Sequence, residues 1–341
     1  MLKLSIVIAA VDGVERLESG LVSVLQHRPS HSEVLVILPQ SYADPYDLKD
    51  EVCFIEARRG AGLIECLNLG WQASTGPIVH FLASGLEVAA DWADEAARHF
   101  ANPRIAAVAP LMLWGTDTAE STYSSGVTYS SGGAVGVCNP PTGIGSQRGA
   151  ILGPHLEAGF FRKAALESIG GLATNLGERL PAVDAALALR QVGYQAILEP
   201  ASRVAVPWNP PQYTNGFSHG LYSERLFWRN AASQGWIRSL AAHPLSVINE
   251  AMRLRPRGAL VTGCLGRLVA CCQSGQLGRR REQLRALAAA LALSERVEQA
   301  APAAQDDADF GHLRFDPAHT PSRGKGRARQ VEQVGGARKS A

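Results

Sequence analysis

The sequence predicts an α/β fold with a mainly parallel sheet. Short β-branched apolar runs alternate with longer stretches of helical period through the first two-thirds of the chain, which is the pattern of βαβ units. Helices cover both faces of such a sheet. The composition agrees, because 46% hydrophobic and 19% charged residues are close to the average for globular domains. An open sheet of this kind binds its ligand beyond the carboxyl ends of its strands.

Four apolar runs predict the first four strands, and helical patterns separate the first two runs and the last two. These runs are LSIVIAAV (4–11), EVLVILP (33–39), VCFIEA (52–57) and PIVHFLA (77–83). His80 lies inside the fourth run, so we expect a packed, hydrogen-bonded core histidine. The loops that follow these strands, which begin near Ala9, Leu38, Arg58 and Leu82, are where functional residues are expected.

The remainder of the chain divides by composition. Glycine, serine, threonine and proline dominate 115–150, which predicts a loop with short β pieces. We predict a helix within 155–172 that stops at Gly170 and Gly171, and a helix followed by a strand over 182–200. Three parts result: an α/β domain at 1–215, a helical extension at 216–297 and a disordered basic tail at 298–341.

Charge and apolar segments exclude several classes of function. The chain has 33 lysines and arginines against 31 acids, so no global field favours nucleic acid or an anionic membrane as the main partner. The first apolar run ends at Asp12 and the run at 259–272 is broken by Arg267, and both are too short to span a membrane. The six cysteines show no metal-ligand spacing and are expected to be reduced and mostly buried. The sequence therefore predicts a cytoplasmic protein.

Five segments in a fixed order resemble the family 2 glycosyltransferases. They are the opening LSIVIAAVDGVERLESGLVSVL, then ARRGAGLIECLNLGWQASTGPIVHFLA, HLEAGFFRKAALESIGG, VDAALALRQVGYQAILEPASRV and ERLFWRN. The second segment is similar to the family's Arg-Gly-x-Gly, Asn-x-Gly and Gly-x-Ile-x-x-Phe-Leu pattern. The resemblance covers roughly residues 4–245. It implies a GT-A fold that transfers a sugar from a nucleotide-sugar donor to a glycan or lipid-linked acceptor.

The resemblance and the residue chemistry together predict a nucleotide site. Gly60 and Gly62 let the backbone turn tightly and approach a ligand, and Arg58 and Arg59 can meet phosphate charge. The alternative is that the glycines serve only the turn and that the arginines are solvated. The predicted nucleotide-binding residues are Ala9, Asp12, Arg58, Arg59, Gly60, Gly62 and Asn68.

The metal site of the family is missing from the sequence. An Asp-x-Asp pair usually holds Mg²⁺ or Mn²⁺ after the fourth strand, but Ala83, Ser84 and Gly85 stand at those positions. Glu87 is the nearest carboxylate and is a weak metal candidate. His219, near where some members place a histidine, is another. An acid that usually follows the second strand is also absent.

The catalytic base is displaced as well. An inverting transferase needs a carboxylate that takes the proton of the acceptor hydroxyl. Pro181 and Ala182 replace the family's Glu-Asp pair, which leaves Asp184 and Glu178 as catalytic candidates. Asp184 is also suited to a cap or the first turn of a helix.

The acceptor side supplies two further candidates. His155 and Glu157 flank the third of the five segments, where a carboxylate suits a sugar hydroxyl. Structural capping is an equal alternative for both residues.

These losses leave three functional hypotheses. One is a divergent transferase in which Arg58, Arg59 or Arg148 meets the diphosphate charge without metal. The second is a silent member that acts as a binding or scaffold partner. The third is a different nucleotide-binding α/β protein, which is disfavoured because neither GxGxxG after the first strand nor GxxxxGKS occurs. The aromatic run LFWRNAASQGW is compatible with a helix at a membrane surface, but a helix docked on the catalytic domain is the simpler account. A peripheral membrane or a partner transferase is therefore an expected contact.

Overall fold

The computed structural model describes residues 3–114, 122–124, 126–137, 149–207, 216–231, 235–253, 258–273, 284–289 and 292. The tail predicted at 298–341 and the candidate Arg148 lie outside these residues. The division of the chain at 215 stays a prediction.

Twelve strands and eight α-helices are defined within the described residues. The strands are β1 (Leu4–Ala9), β2 (Ser32–Leu38), β3 (Val52–Glu56), β4 (Ile78–Ala83), β5 (Glu87–Val88), β6 (Ile105–Trp114), β7 (Thr122–Ser124), β8 (Val127–Tyr129), β9 (Val135–Val137), β10 (Gly149–Ile151), β11 (Phe160–Arg162) and β12 (Gln195–Val206). The helices are α1 (Val14–His27), α2 (Leu63–Ala73), α3 (Trp92–Ala97), α4 (Lys163–Ser168), α5 (Leu180–Gln191), α6 (Gly216–Asn230), α7 (Trp236–Arg253) and α8 (Gly258–Cys272). Residues 284–289 are also helical.

The central sheet has the order β10-β12-β6-β11-β4-β1-β2-β3, and β5 and β7 pair with β12 and β6 at its side. The strands β1 to β4 pair in parallel, and so do β6 and β12. Only β11 interrupts the parallel direction in the middle, because it runs antiparallel to both β4 and β6. The four strands predicted from the apolar runs are therefore confirmed.

Helices cover both faces of the sheet because its strands are apolar on both sides. Val7 and Ala9 point to the face where α2, α4 and α5 pack, while Ile6 and Ile8 point to the face of α1 and α3. Every side chain of β1 is buried. The predicted α/β fold is confirmed.

The helix predicted within 155–172 is shorter than expected. Only Lys163–Ser168 is helical, since Phe160–Arg162 forms β11. Phe160 and Phe161 bury themselves on opposite faces of the sheet, and that alternation requires an extended backbone. The predicted stop is confirmed, because Gly170 and Gly171 have φ values of 75° and 76°.

The C-terminal helices α6 and α8 pack through glycine. A Cβ atom at Gly220 would overlap the Gly263 carbonyl, and one at Gly216 would overlap the Ala259 carbonyl. The two backbones can approach this closely only because these positions have no side chain. No helix in the described ranges is long and apolar enough to cross a membrane.

The cysteine prediction is half wrong. The cysteines within the described ranges are all free, as expected, but only Cys66 is buried. Cys53, Cys264, Cys271 and Cys272 are exposed in β3 and α8.

Candidate functional site

The carboxyl ends of β1 and β4 meet at one edge of the sheet. Ala9 and Ala83 are register partners, and the Ser84 N–H donates to the Ala9 carbonyl at 3.3 Å. The Asp12 N–H in turn donates to the Ser84 hydroxyl at 3.4 Å. The loop after β1 is thus tied to the loop after β4, and Asp12 is exposed beside the junction.

The loop after β3 reaches the same edge. The Gly60 N–H donates to the Pro39 carbonyl at 3.0 Å, which joins this loop to the end of β2. Gly60 has a φ of 73° and open space where a Cβ would stand, so a turn and a close approach to the backbone are both possible. Arg58 and Arg59 are exposed, and Arg58 forms an ion pair with Glu65 at 2.9 Å.

Glu178 lies next to the start of α2. The position that a Cβ would take on Gly62, which precedes the first residue of α2, is 3.6 Å from Glu178 Oε1. The structure therefore brings one predicted catalytic carboxylate to the predicted nucleotide loop. Sequence distance alone could not show this, because the two residues are more than a hundred positions apart.

The side chain of Asn68 forms hydrogen bonds within the protein. Its amide nitrogen donates to the Leu172 carbonyl at 2.9 Å, and its amide oxygen accepts the Leu172 N–H at 2.9 Å. The same oxygen also accepts the Trp71 indole N–H. Both polar atoms of the side chain are engaged, so Asn68 fastens the backbone after α4 to α2 and the nucleotide prediction for it loses support.

The turn after β4 does not fit a divalent cation. Ala83 and Gly85 carry no ligand atom, and Gly85 has a φ of 82°. Helix α1 packs directly on this turn, since a Cβ at Gly20 would lie 3.0 Å from Gly85 N. Glu87 is exposed in β5, and the described residues contain no group of three His, Cys, Asp or Glu side chains able to hold a metal. Mg²⁺ beside a substrate phosphate is usually held by one or two protein carboxylates, and Ala83, Ser84 and Gly85 supply none.

His219 is engaged elsewhere. Its Nε2 atom is hydrogen-bonded to Glu250 Oε1, which connects α6 to α7. Glu250 is also paired with Arg267 of α8. Burial acts to raise the pKa of Glu250, but its bonds with His219 and its charged neighbours outweigh burial and lower it. The weak metal prediction for His219 therefore loses support.

Asp184 forms a buried ion pair. Both oxygens of its carboxylate accept from the Arg229 guanidinium, at 2.9 and 2.8 Å, and the two side chains are only 4% and 7% exposed. The Asn230 amide contacts the same carboxylate at 3.4 Å. This geometry joins α5 to α6 and opposes the base role, because the carboxylate lone pairs face a fixed cation. The capping alternative is also wrong, since Asp184 lies inside α5.

The acceptor candidates line the other side of β4. The Ala83 N–H donates to the Glu157 carbonyl at 2.8 Å, so the 155–159 segment runs beside the end of that strand. His155 Nε2 is hydrogen-bonded to the Ser124 hydroxyl at 2.6 Å. Burial lowers the pKa of His155 below its usual value, Glu157 opposes this and Arg179 adds to it. Neutral imidazole is therefore the favoured form at neutral pH.

Three residues of this edge were not predicted. Ser84 accepts the Asp12 N–H, Ser124 holds His155, and Arg179 lies close enough to influence the charge of His155. Arg179 directly follows the candidate Glu178, and that adjacency was the available signal. Ser124 lies in a glycine- and serine-rich segment where no single serine is distinguished.

His80 fits the predicted core role. It is fully buried and stacks on Phe160 with ring centroids 3.7 Å apart. The Trp92 indole N–H donates to its Nε2 at 3.1 Å, and its Nδ1 contacts the Gly159 carbonyl at 3.3 Å. Nδ1 must therefore carry the proton. Burial lowers the pKa of His80 to about 3, although the Gly159 bond opposes the shift.

Two cavities lie away from this edge. Their volumes are about 720 and 690 Å³, and both are lined by Thr128, Leu152 and Arg190. The second also contacts Ala107 and Ala196, near the first residues of β6 and β12. Those strand starts define the amino edge of the sheet, so neither cavity belongs to the candidate site.

Comparison with known proteins confirms the fold. No family model and no curated protein matches the sequence. Among solved structures, the chain is similar to GalNAc-T7 with UDP, GalNAc and Mn²⁺, at 15% identity and a TM-score of 0.53, over 76% of this chain and 56% of that one. It therefore spans little more than half the length of GalNAc-T7.

Two further structures match more of their own length. The mannosyltransferase PcManGT from Pyrobaculum calidifontis, in complex with GDP-Man and Mn²⁺, has 16% identity and a TM-score of 0.51, with 87% of this chain and 88% of that one covered. S. aureus TarS 1–349 has 11% identity and a TM-score of 0.53, with coverage of 87% and 92%. The predicted GT-A fold is confirmed by these likenesses, and membership of family 2 stays a prediction.

Proposed function

We propose that this chain is a glycosyltransferase that transfers a sugar from a nucleotide-sugar donor to a glycan or lipid-linked acceptor. The observation that carries the proposal is the junction of β1 and β4, where Asp12 and Ser84 meet in a GT-A fold. The Arg58–Gly62 loop and the His155–Glu157 segment flank this junction. Ligands of α/β sheets bind at such carboxyl edges.

The donor diphosphate requires positive charge, and arginine is our candidate source. Arg58 and Arg59 are exposed at the loop after β3, next to the first turn of α2. The backbone N–H groups of a helix N-terminus also favour an anion. The residues after β4 do not fit Mg²⁺ or Mn²⁺, so the proposed chemistry has no step that depends on either metal.

Glu178 is our candidate for the base. In an inverting transfer the acceptor oxygen forms a bond to the anomeric carbon while the bond from that carbon to the diphosphate oxygen breaks. The proton of the acceptor hydroxyl goes to the base. Glu178 Oε1 lies 3.6 Å from the position that a Cβ would take on Gly62, at the predicted nucleotide loop. Asp184, in contrast, is paired with Arg229. His155 and Glu157 are proposed to contact the acceptor sugar.

The shape-conserving test of this assignment is Glu178→Gln, which removes the carboxylate charge and its ability to accept a proton. We expect turnover of the nucleotide sugar to fall by about a hundredfold or more, while donor binding is kept, because general-base catalysis contributes about 10² to 10⁴. Glu167→Gln is the matched control, since Glu167 is an exposed glutamate of α4. Equal turnover in the two variants would contradict the role of Glu178.

A second candidate function is a silent member that binds a nucleotide, a glycan or a partner transferase. The observations that favour it are the absent ligands at Ala83 and Gly85 and the pairing of Asp184 with Arg229. Such a protein shows no turnover with any donor, before or after the Glu178→Gln change. We further propose a cytoplasmic location, a division into α/β and helical parts at 215, and a peripheral contact with a membrane or a partner transferase.

A further inference from the structure

Helix α7 has its polar and apolar sides reversed. Ser239 is fully buried, and the side chains of His243 and Glu250 are 14% and 25% exposed within the protein-facing side. On the opposite side, Ile237 is 83% exposed and Ile248 is 55% exposed. A helix that packs on a protein core normally buries its apolar stripe. Here the apolar stripe faces outward.

Helix α8 shows the same reversal. Its inward side consists of small residues and Arg267, and the Arg267 guanidinium donates to Glu224 Oε2 at 2.8 Å. Its outward side presents Val261 at 65% and Leu268 at 63% exposure. Of the sixteen exposed large apolar side chains among the described residues, ten lie on α7 and α8. They are Trp236, Ile237, Leu240, Leu245, Ile248, Met252, Val261, Leu265, Leu268 and Val269. We name these ten side chains the α7–α8 face.

A polar cluster holds this reversed packing in place. Glu224 of α6 accepts from His243, at 3.1 Å, and from Arg267. Glu250 of α7 is paired with the same Arg267 and with His219. Burial acts to raise the pKa of Glu224, but these bonds outweigh burial and lower it. The polar sides of α7 and α8 therefore have partners inside the protein, which fixes their apolar sides outward.

The helical residues 284–289 and the segment 298–341 offer little cover for the α7–α8 face. Residues 284–289 contribute Leu284 and Leu287 to the core cluster that includes α2 and α5. Residues 298–341 contain only five large apolar side chains among 44 residues, half as many as the face presents. An exposed apolar surface of this size is typical of an interaction site.

The charge of residues 236–272, which contain α7 and α8, indicates what binds the α7–α8 face. Residues 236–272 contain five arginines, no lysine, no aspartate and one glutamate. Glu250 and Arg267 are paired with each other inside the protein, so the segment keeps an excess of four arginines. An exposed apolar stripe accompanied by excess positive charge, with a tryptophan at one end, is typical of helices that lie in the surface of an anionic bilayer. We infer that the α7–α8 face docks on an anionic lipid bilayer without spanning it. The inference rests on the proposed function only in that a bilayer is where a lipid-linked acceptor resides.

Flotation of the full-length chain with lipid vesicles tests this inference. We expect binding to vesicles of phosphatidylglycerol and phosphatidylcholine, weaker binding to phosphatidylcholine alone, and weaker binding at high salt. Ile237→Glu and Ile248→Glu should each lower the vesicle partition coefficient by about tenfold. Val22→Glu in α1 is the matched control, because Val22 is 56% exposed and lies outside the face. Circular dichroism checks that all variants fold.

Three results would overturn the inference. The first is that the chain does not bind anionic vesicles, and the second is that Val22→Glu lowers vesicle binding as much as the variants of the face do. The third is a dimer, detected by sedimentation without vesicles, that Ile248→Glu dissociates. That result would assign the face to a second copy of the chain. Nucleotide-sugar binding of Ile248→Glu, measured without vesicles, should equal that of the unchanged chain. Vesicle binding by a protein that binds no nucleotide sugar would reject the proposed function and leave the bilayer surface intact.

Discussion

Charge is distributed in opposite ways at the carboxyl edge of the sheet and among the helices α5 to α8. At the edge, Ala83, Ser84 and Gly85 occupy the turn after β4, so no side chain of this turn carries a charge. Among the helices, Asp184 and Glu224 are almost fully buried and each is paired with an arginine. Both of these buried carboxylates are thus paired inside the protein. In our proposal, chemistry at the edge relies on exposed groups such as Glu178, Arg58 and Arg59.

Removing the cation of the buried α5–α6 pair should give the largest effect. Arg229→Met leaves the Asp184 carboxylate buried without its partner, so we expect the free energy of unfolding to fall by about 3–5 kcal/mol. Chemical denaturation measures this change. Arg225→Met is the control, because that arginine is on the same helix and bonds Gln273 and the Asn175 carbonyl at the surface.

A double variant decides whether the pair has any function beyond structure. Asp184→Leu combined with Arg229→Met should recover most of the lost stability, since apolar residues replace buried ion pairs well. Retained turnover in a folded double variant would support the structural role. Loss of turnover in that variant, with donor binding kept, would return Asp184 to the catalytic candidates and break the contrast between the two regions.

The sheet also buries a titratable side chain, His80, whose neutral form is favoured by burial. Burial lowers the pKa of His80 to about 3, whereas an unfolded histidine titrates near 6.5. The unfolded chain therefore binds more protons than the folded chain between these values. Stability from this site is fully present above about pH 6.5 and is lost as the pH falls towards 3, by about 2–3 kcal/mol at pH 4.5. His80→Gln should flatten the pH dependence of the unfolding free energy in this window, and an unchanged slope would contradict the assignment.

Loss of positive charge at the edge should give the smallest effect. Arg58→Ala and Arg59→Ala remove cations from the loop after β3, and each should weaken nucleotide-diphosphate binding by about tenfold, as expected for charge-assisted contacts. Arg98→Ala is the control, since Arg98 is an equally exposed arginine paired with Glu95 at the end of α3. Calorimetric titration with UDP and GDP compares the three variants. If Arg58→Ala, Arg59→Ala and Arg98→Ala bind UDP and GDP with equal affinity, the proposed arginine-based diphosphate site is contradicted.

The sequence predicts the strands and helices whose conformation depends on their own residues. It does not predict which residues contact each other across the fold. The strands β1 to β4 follow from apolar runs, because burial on both faces acts on each residue directly. The sequence pattern favours a helix where β11 lies. The extended conformation of β11 depends on its pairing with β4 and β6, which lie on either side of it.

The site residues show the same limit. Asn68 bonds Leu172, 104 positions away, and Asp184 bonds Arg229, 45 positions away. No spacing rule reveals such pairs. The sequence indicates candidate loops and the missing carboxylates after β4, because those depend on residue type at a strand end. It could not say which remaining carboxylate faces the ligand.

The most direct test of a metal-independent nucleotide-sugar site is calorimetric binding of a panel of UDP- and GDP-sugars, with EDTA and then with Mn²⁺. The arrangement at Ala83 and Gly85 predicts that one donor binds and that its affinity is the same in EDTA as in Mn²⁺, because arginine rather than metal meets the diphosphate. Binding that appears only with Mn²⁺ would contradict this account, as would the absence of binding by every donor in either condition.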